Sequence, residues 1–369
     1  MNRGRRTFAA LLSFSLPFLA AALSSSFARA AYDRPFSWSD VGEIDLKPVF
    51  RSFYASEDNL LDPQIPASAF ELALADADHR ISDEFAIPKT LTKAVEFWLH
   101  IYARYTTREV VIFDDRHPEV VYEVLDFRPL SKSARNRVAY EIMMERKIAR
   151  VRQHYKSAFA SLLANPKKKS LNEYESKIKQ ALTVCDHKHP MAFHSGNLRI
   201  QRGQRDNIIK GLLAAEAFFP KMETIFDDLG VPPEITRLAL VESSFNIHAV
   251  SYAGATGVWQ FMLKSGLEYL KIDSGLKVDE RLSPLKSTVA AARLLKRNRK
   301  VLRNWPFAIT AYNHGLRTFV QSPRGRTGKE SLDPGNLFGP CPKNGGLKLG
   351  WASRNYYAEF LAVLHAEKY

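Results

Sequence analysis

Cysteine is nearly absent from this chain. Its 369 residues hold two, Cys185 and Cys341. No cysteine precedes Cys185, so the amino-terminal segment has no thiol to carry a lipid. In an oxidising compartment the two could pair, but spacing alone does not bring their Cα atoms together. Acids are also in short supply. Asp and Glu number 39 against 53 Lys and Arg, a formal charge of +14. Repeats and low-complexity tracts are missing. Hydrophobic residues make up 46%, enough to bury a core, which excludes a disordered chain.

The length permits two domains, or one domain with a helical extension. Residues 1–30 stand apart. "MNRGRR" is basic, "TFAALLSFSLPFLAAALSSSF" is apolar, and "ARA" ends in small residues at Ala30. That order is expected of a secretory signal peptide, with an uncleaved amino-terminal anchor as the alternative. The segment carries Arg3, Arg5, Arg6 and Arg29 and no acid, so the remainder stays basic. An exported basic protein is drawn to anionic envelope surfaces. Nucleic acid fits the charge but not the export signal, and no nucleic-acid partner is expected. The expected location is the periplasm, in soluble form.

Residues 31–197 read as an α-rich accessory region. Leu91, Val95, Trp98, Leu99 and Tyr102 recur at helical spacing. "REVVIFD" and "EVVYEVLDF", separated by "DRHP", predict a β-hairpin. A long charged helix is expected over 131–163 from a start at Ser131, and a further helix from Asn172. The run "CDHKHPMAFH" gathers Cys185, Asp186, His187, His189 and His194, but its spacing matches no closed zinc pattern. No metal or cofactor is expected. A protein partner docked on this region is suggested only by its size and its aromatic helix.

Residues 198–369 read as a helical domain. "RIQRGQRDNIIKGLLAAEAFF" is expected as one helix, and "PKMETIFDDLG" as another, opened by Pro220 and closed by Gly230. The informative stretch is "VPPEITRLALVESSF". Ile235, Leu238, Ala239, Glu242 and Phe245 fall on one stripe, so an acid lies among apolar residues. Burying an ionised carboxylate is costly unless it is paired. Such a group has its pKa raised, which suits a general acid near neutral pH. A structural glutamate paired with an arginine is the bland alternative. The next segment packs Ser251, Ala253, Gly254, Ala255 and Gly257 together, where a ligand can approach the backbone closely. Trp259, Gln260, Phe261 and Met262 then offer stacking area and an amide, as in a sugar site or in a tight turn with core aromatics.

"ESSFNIHAVSYAGATGVWQFM" resembles the catalytic motif of lytic transglycosylases with the goose-lysozyme fold, glycoside hydrolase family 23. "VDERLSPLKSTVAAARLLKRN", "WPFAITAYNHG" and "ASRNYYAEFLAVL" resemble the family's later segments, in order. The resemblance implies a mainly α, lysozyme-like carboxy-terminal domain after an α-rich region with a small hairpin. It implies Glu242 as the single catalytic acid. It implies substrate contacts from Ser251, Gly257, Gln260, Met262, Tyr312 and Asn313. The family's late tyrosine falls on Tyr356 or Tyr357, and both are kept. The implied substrate is the peptidoglycan glycan strand, cut between MurNAc and GlcNAc to leave 1,6-anhydro-MurNAc, without a cofactor. Two alternatives stay open: hydrolysis of the same bond by a goose-type muramidase, and a non-catalytic wall-binding scaffold. Glycosidases ordinarily use two carboxyls. The motif supplies one, since Asp279 and Glu280 lie beside Arg281 and read as a surface or capping cluster.

Overall fold

The computed structural model describes residues 65–184, 191–321 and 349–369. The expected signal peptide, both cysteines and the whole of the Cys185–His189 run lie outside them. The described chain is mainly helical around a small antiparallel sheet. In order it runs α1 (Ala67–Ala75), α2 (Thr92–Ala103), β1 (Glu109–Asp114), β2 (Val121–Asp126), α3 (Arg137–Ala164), α4 (Glu173–Ala181), α5 (Met191–Ser195) and β3 (Leu198–Arg202). There follow α6 (Arg205–Ala215), α7 (Phe219–Asp228), a 3-10 turn (Pro233–Arg237) and α8 (Leu238–Ser243). Then come α9 (Leu263–Gly266), β4 (Ile272–Asp273), β5 (Val278–Asp279), α10 (Pro284–Leu302), α11 (Trp305–His314), α12 (Leu316–Gln321) and α13 (Trp351–Lys368).

The hairpin forms as expected, with Val110 opposite Leu125 and Val111 opposite Val124. The helix expected from residue 198 does not start there. Residues Leu198–Arg202 form β3, which pairs antiparallel with β1 and makes that strand the centre of the sheet. The cause is long-range. Val110 to Phe113 are all buried, so both edges of β1 need hydrogen-bond partners. Gly203 ends the strand where a Cβ would meet the Tyr105 carbonyl oxygen at 2.3 Å. Helix α6 begins only at Arg205. The long helix also starts later than Ser131. The Ser131 hydroxyl donates to the Arg128 carbonyl inside a 3-10 turn, and Asn136 caps α3 by accepting from the Ala139 amide.

Strand alternation divides the interior. Val110 and Ile112 join a smaller core under α3 and α4, while Val111 and Phe113 join the main core. The main core runs across residue 198. Phe85, Val95 and Trp98 share it with Ile235, Trp259, Phe307 and Phe360. Helix α2 packs along α13, and Trp98 donates its indole N–H to Asn355 at 3.0 Å. This pairing sets α13, and with it Tyr356 and Glu359, against the end of α8. Among the described residues no helix is long and apolar enough to cross a membrane.

Candidate active site

Glu242 lies one residue before the end of α8, and its stripe is as read. Ile235, Leu238, Ala239 and Phe245 are all at most 1% exposed. Ser244, at φ 48°, stops the helix in a left-handed conformation. Glu242 itself is half-buried, because its carboxyl opens onto a cleft of about 300 Å³. The carboxyl accepts a hydrogen bond from the Tyr356 hydroxyl at Oε1. Burial pushes its pKa up to about 7, and the Tyr356 bond pulls the other way. Among the described residues no arginine or lysine pairs with it, so the ion-pair alternative finds no partner there.

The loop after the acid is built by its small residues. Gly257 has φ 77°, and a Cβ there would meet the Arg281 carbonyl oxygen at 1.9 Å. Arg281 in turn donates to the Gly254 and Phe261 carbonyls and pairs with Asp279 at 2.7 Å. Asp279 and Glu280 are therefore braces outside the cleft, as read. Ser251 lines the cleft, and its hydroxyl accepts from the Ala255 amide at 3.0 Å. Gln260 also lines it, with its amide N–H held by the Gly257 carbonyl at 2.9 Å. That leaves the amide oxygen of Gln260 for other partners. Met262, 42% exposed, lies at the cleft wall. Tyr312 and Asn313 reach the cleft from α11. The Tyr312 hydroxyl donates to the Trp259 carbonyl at 2.8 Å, and Asn313 accepts from Ser353 at 3.0 Å.

Three sequence readings change. Of the two adjacent tyrosines, Tyr356 meets the acid, while Tyr357 points into the core and stacks on Phe360. One helical step of about 100° separates them. Gly257 is not at the cleft surface; its part is to let the loop pass Arg281. Trp259 is not a wall for a sugar. It is fully buried, stacks on Phe226 and donates to the Thr288 hydroxyl. The remaining His of the Cys–His run, His194, is buried with Nδ1 2.7 Å from Asp114, away from the cleft.

The cleft also holds residues that motif reading missed. Trp98 and Tyr102 come from α2, Arg202 from β3, Arg297 from α10, and Trp351 and Glu359 from α13. Glu359 is a second carboxyl, bound by the Tyr102 hydroxyl at 3.4 Å. Burial, and then the charge of Glu242, push its pKa up to about 8. Its sequence signal is weak but present: it lies three residues after Tyr356, hence on the same helical face. Tyr102, Tyr312 and Tyr356 are all pushed well above the usual phenol range, first by burial.

Residues 228–331 match the Transglycosylase SLT domain family. Membrane-bound lytic murein transglycosylase D of Escherichia coli strain K12 is 37% identical over 90 residues, 23% of this chain and 19% of that protein. The protein of the same description from Escherichia coli O6:H1 matches to the same extent. The match thus spans about a fifth of the length of these curated relatives. The segment that matches the Transglycosylase SLT domain family holds Glu242, Ser251, Gln260, Tyr312 and Asn313.

Proposed function

We propose that this chain is a peptidoglycan lytic transglycosylase that cleaves the β-1,4 bond between MurNAc and GlcNAc and leaves 1,6-anhydro-MurNAc ends. One observation carries the reading. The carboxyl of Glu242, at the end of α8, opens onto a walled cleft, has a pKa pushed up to about 7, and among the described residues is held by a tyrosine rather than a cation. Near neutral pH such a group both gives and takes a proton readily. Protonated Glu242 donates to the glycosidic oxygen as the bond from the MurNAc anomeric carbon breaks. The acetamido carbonyl of the same sugar shields the positive charge at that carbon. Glu242, now a carboxylate, removes the proton of the sugar's 6-hydroxyl, and that oxygen closes onto the anomeric carbon. The proton returns to Glu242 and no water is consumed. Tyr356 fixes the carboxyl's orientation and moderates its pKa. Ser251, Gln260, Tyr312 and Asn313 hold the sugar from the two sides of the cleft, with Met262 at its wall.

The hydrolytic reading needs a carboxylate to activate water. Glu359 is the one carboxyl besides Glu242 among the described residues lining the cleft, and its pKa, pushed up to about 8, leaves it protonated at neutral pH. That favours attack by the 6-hydroxyl. The same reading takes residues 1–30 as an export signal, the periplasm as the location, and the basic surface as a means of staying near the anionic envelope. The test is Glu242→Gln, which keeps the shape and removes the proton. Release of soluble fragments from peptidoglycan is expected to fall by about 100-fold or more, with cooperative unfolding retained. Near-wild-type release by a folded Glu242→Gln protein contradicts the assignment.

A further inference from the structure

Glu359 and Tyr356 project from one face of α13, three residues apart, and both line the cleft that holds Glu242. The charged and titratable groups around the two carboxyls come from six elements. Helix α2 supplies Tyr102, α8 supplies Glu242, α11 supplies Tyr312, and α13 supplies Tyr356 and Glu359. The cations on the wall are Arg202 of β3 and Arg297 of α10, and both are engaged elsewhere. Arg202 pairs with Glu141 at 3.1 Å, and Arg297 with Glu268 at 3.0 Å. Two carboxyls and three phenols thus share one confined space, with no cation on either carboxyl among the described residues. Like charges so placed do not both ionise readily. Tyr356 directly supports charge on Glu242, whereas among the described residues Glu359 has only the long bond from Tyr102. Glu242 therefore ionises first and Glu359 keeps its proton. The Tyr102 bond occupies Glu359 Oε2, which leaves Oε1 to carry that proton.

We propose that Glu359 acts as a neutral carboxylic acid that donates a hydrogen bond to an uncharged acceptor oxygen of the bound glycan, a sugar hydroxyl or an acetamido carbonyl. The inference rests on the transglycosylase reading and adds to it a substrate-binding residue from α13, outside the motif loop. Where the acceptor is the acetamido carbonyl, a neutral donor selects for N-acetylated sugar, because a deacetylated sugar offers an ammonium that can only donate. A carboxylate at the same place would select the reverse.

The test uses the full chain and two substitutions. Glu359→Gln is isosteric, permanently neutral and still a donor; Glu359→Ala removes the donor. On solubilised N-acetylated glycan strands, Glu359→Gln is expected to stay within about threefold of wild type, and Glu359→Ala to raise KM about tenfold with less change in kcat. Glu359→Gln as inactive as Glu242→Gln would overturn the proposal, since it would mean that a carboxylate is required. Equal KM for Glu359→Ala and wild type would overturn it as well. A readout independent of activity follows the carboxyl carbons of glutamate-labelled protein by NMR through a pH titration. The resonance lost in Glu359→Gln is expected at its protonated position at about pH 6 and to titrate above about pH 7. Titration in the ordinary carboxylate range would overturn the proposal. Tyr102→Phe removes the one bond that favours the ion, so it should move that step further up; a downward move counts against it. Absence of glycan cleavage by wild type would defeat the transglycosylase reading, while the NMR titration would still read the proton on Glu359.

Discussion

Two regions of this molecule bury a glutamate, and they treat it in opposite ways. Glu175, in the helical hairpin of α3 and α4, has no surface open to water. Lys168 reaches it at 2.7 Å, and the Asn172 amide donates to its other oxygen in a capping box. These bonds hold its pKa down at about 2. Glu242, in the cleft, has one tyrosine and no cation among the described residues, and its pKa rises to about 7. Burial alone therefore does not mark a functional carboxyl. The partner set does: a lysine and a backbone amide make a brace, and a phenol in an open cleft leaves a proton to be used.

The comparison can be broken from either side. The largest effect is expected from Gly257→Ala, which forces a Cβ onto the Arg281 carbonyl at 1.9 Å and an L-residue into φ 77°. Loss of stability of about 2–4 kcal/mol is expected, with the cleft deformed along with the loop, read by denaturant melts and fragment release. Lys168→Met comes next and acts on the brace alone. It leaves Glu175 buried without its cation, so the melting temperature should drop by several degrees. Activity per folded molecule should not change. In the wild type, Glu175's depressed pKa contributes stability that is present above about pH 4.5 and lost as pH falls toward about 2. Lys168→Met should flatten that acid dependence.

Tyr356→Phe acts on the cleft alone. It removes the hydrogen bond that favours ionised Glu242, so the alkaline limb of the pH–rate profile should move up from about 7. A rate loss of about tenfold is expected from the loosened carboxyl. Tyr357→Phe, which changes a residue turned into the core, should leave the limb in place. The smallest effect is on stability against pH. Glu242 has a folded pKa above its unfolded value, so the stability it contributes is present below about pH 4.5 and lost as pH rises through about 7. Glu242→Gln removes that loss and should melt higher than wild type at about pH 8, by on the order of 1–3 kcal/mol.

What the sequence reveals here is what is local. The stripe from Ile235 to Phe245 and the small-residue loop are each fixed by residues within a few positions of one another, so Glu242, Ser251 and Gln260 are legible without a fold. The hairpin is legible for the same reason, and so is the Asn172 cap. Strand β3 is not, because its apolar residues Leu198 and Ile200 are followed by a helical pattern and its partner lies about ninety residues earlier, at Val110 to Asp114. Trp259 is ambiguous locally, since a core tryptophan and a sugar platform look alike until Phe226 and Thr288 are placed around it. Glu359 is the clearest case. Its sequence neighbours are those of an ordinary amphipathic helix, and only the packing of α2 on α13 brings it to Tyr102 and into the cleft.

The central claim concerns what attacks the anomeric carbon, and the products record it. Peptidoglycan digested by the purified protein, analysed by mass spectrometry, is expected to yield fragments ending in 1,6-anhydro-MurNAc, with none from Glu242→Gln. Fragments heavier by one water, with free reducing ends, would contradict the account and make the protein a hydrolase.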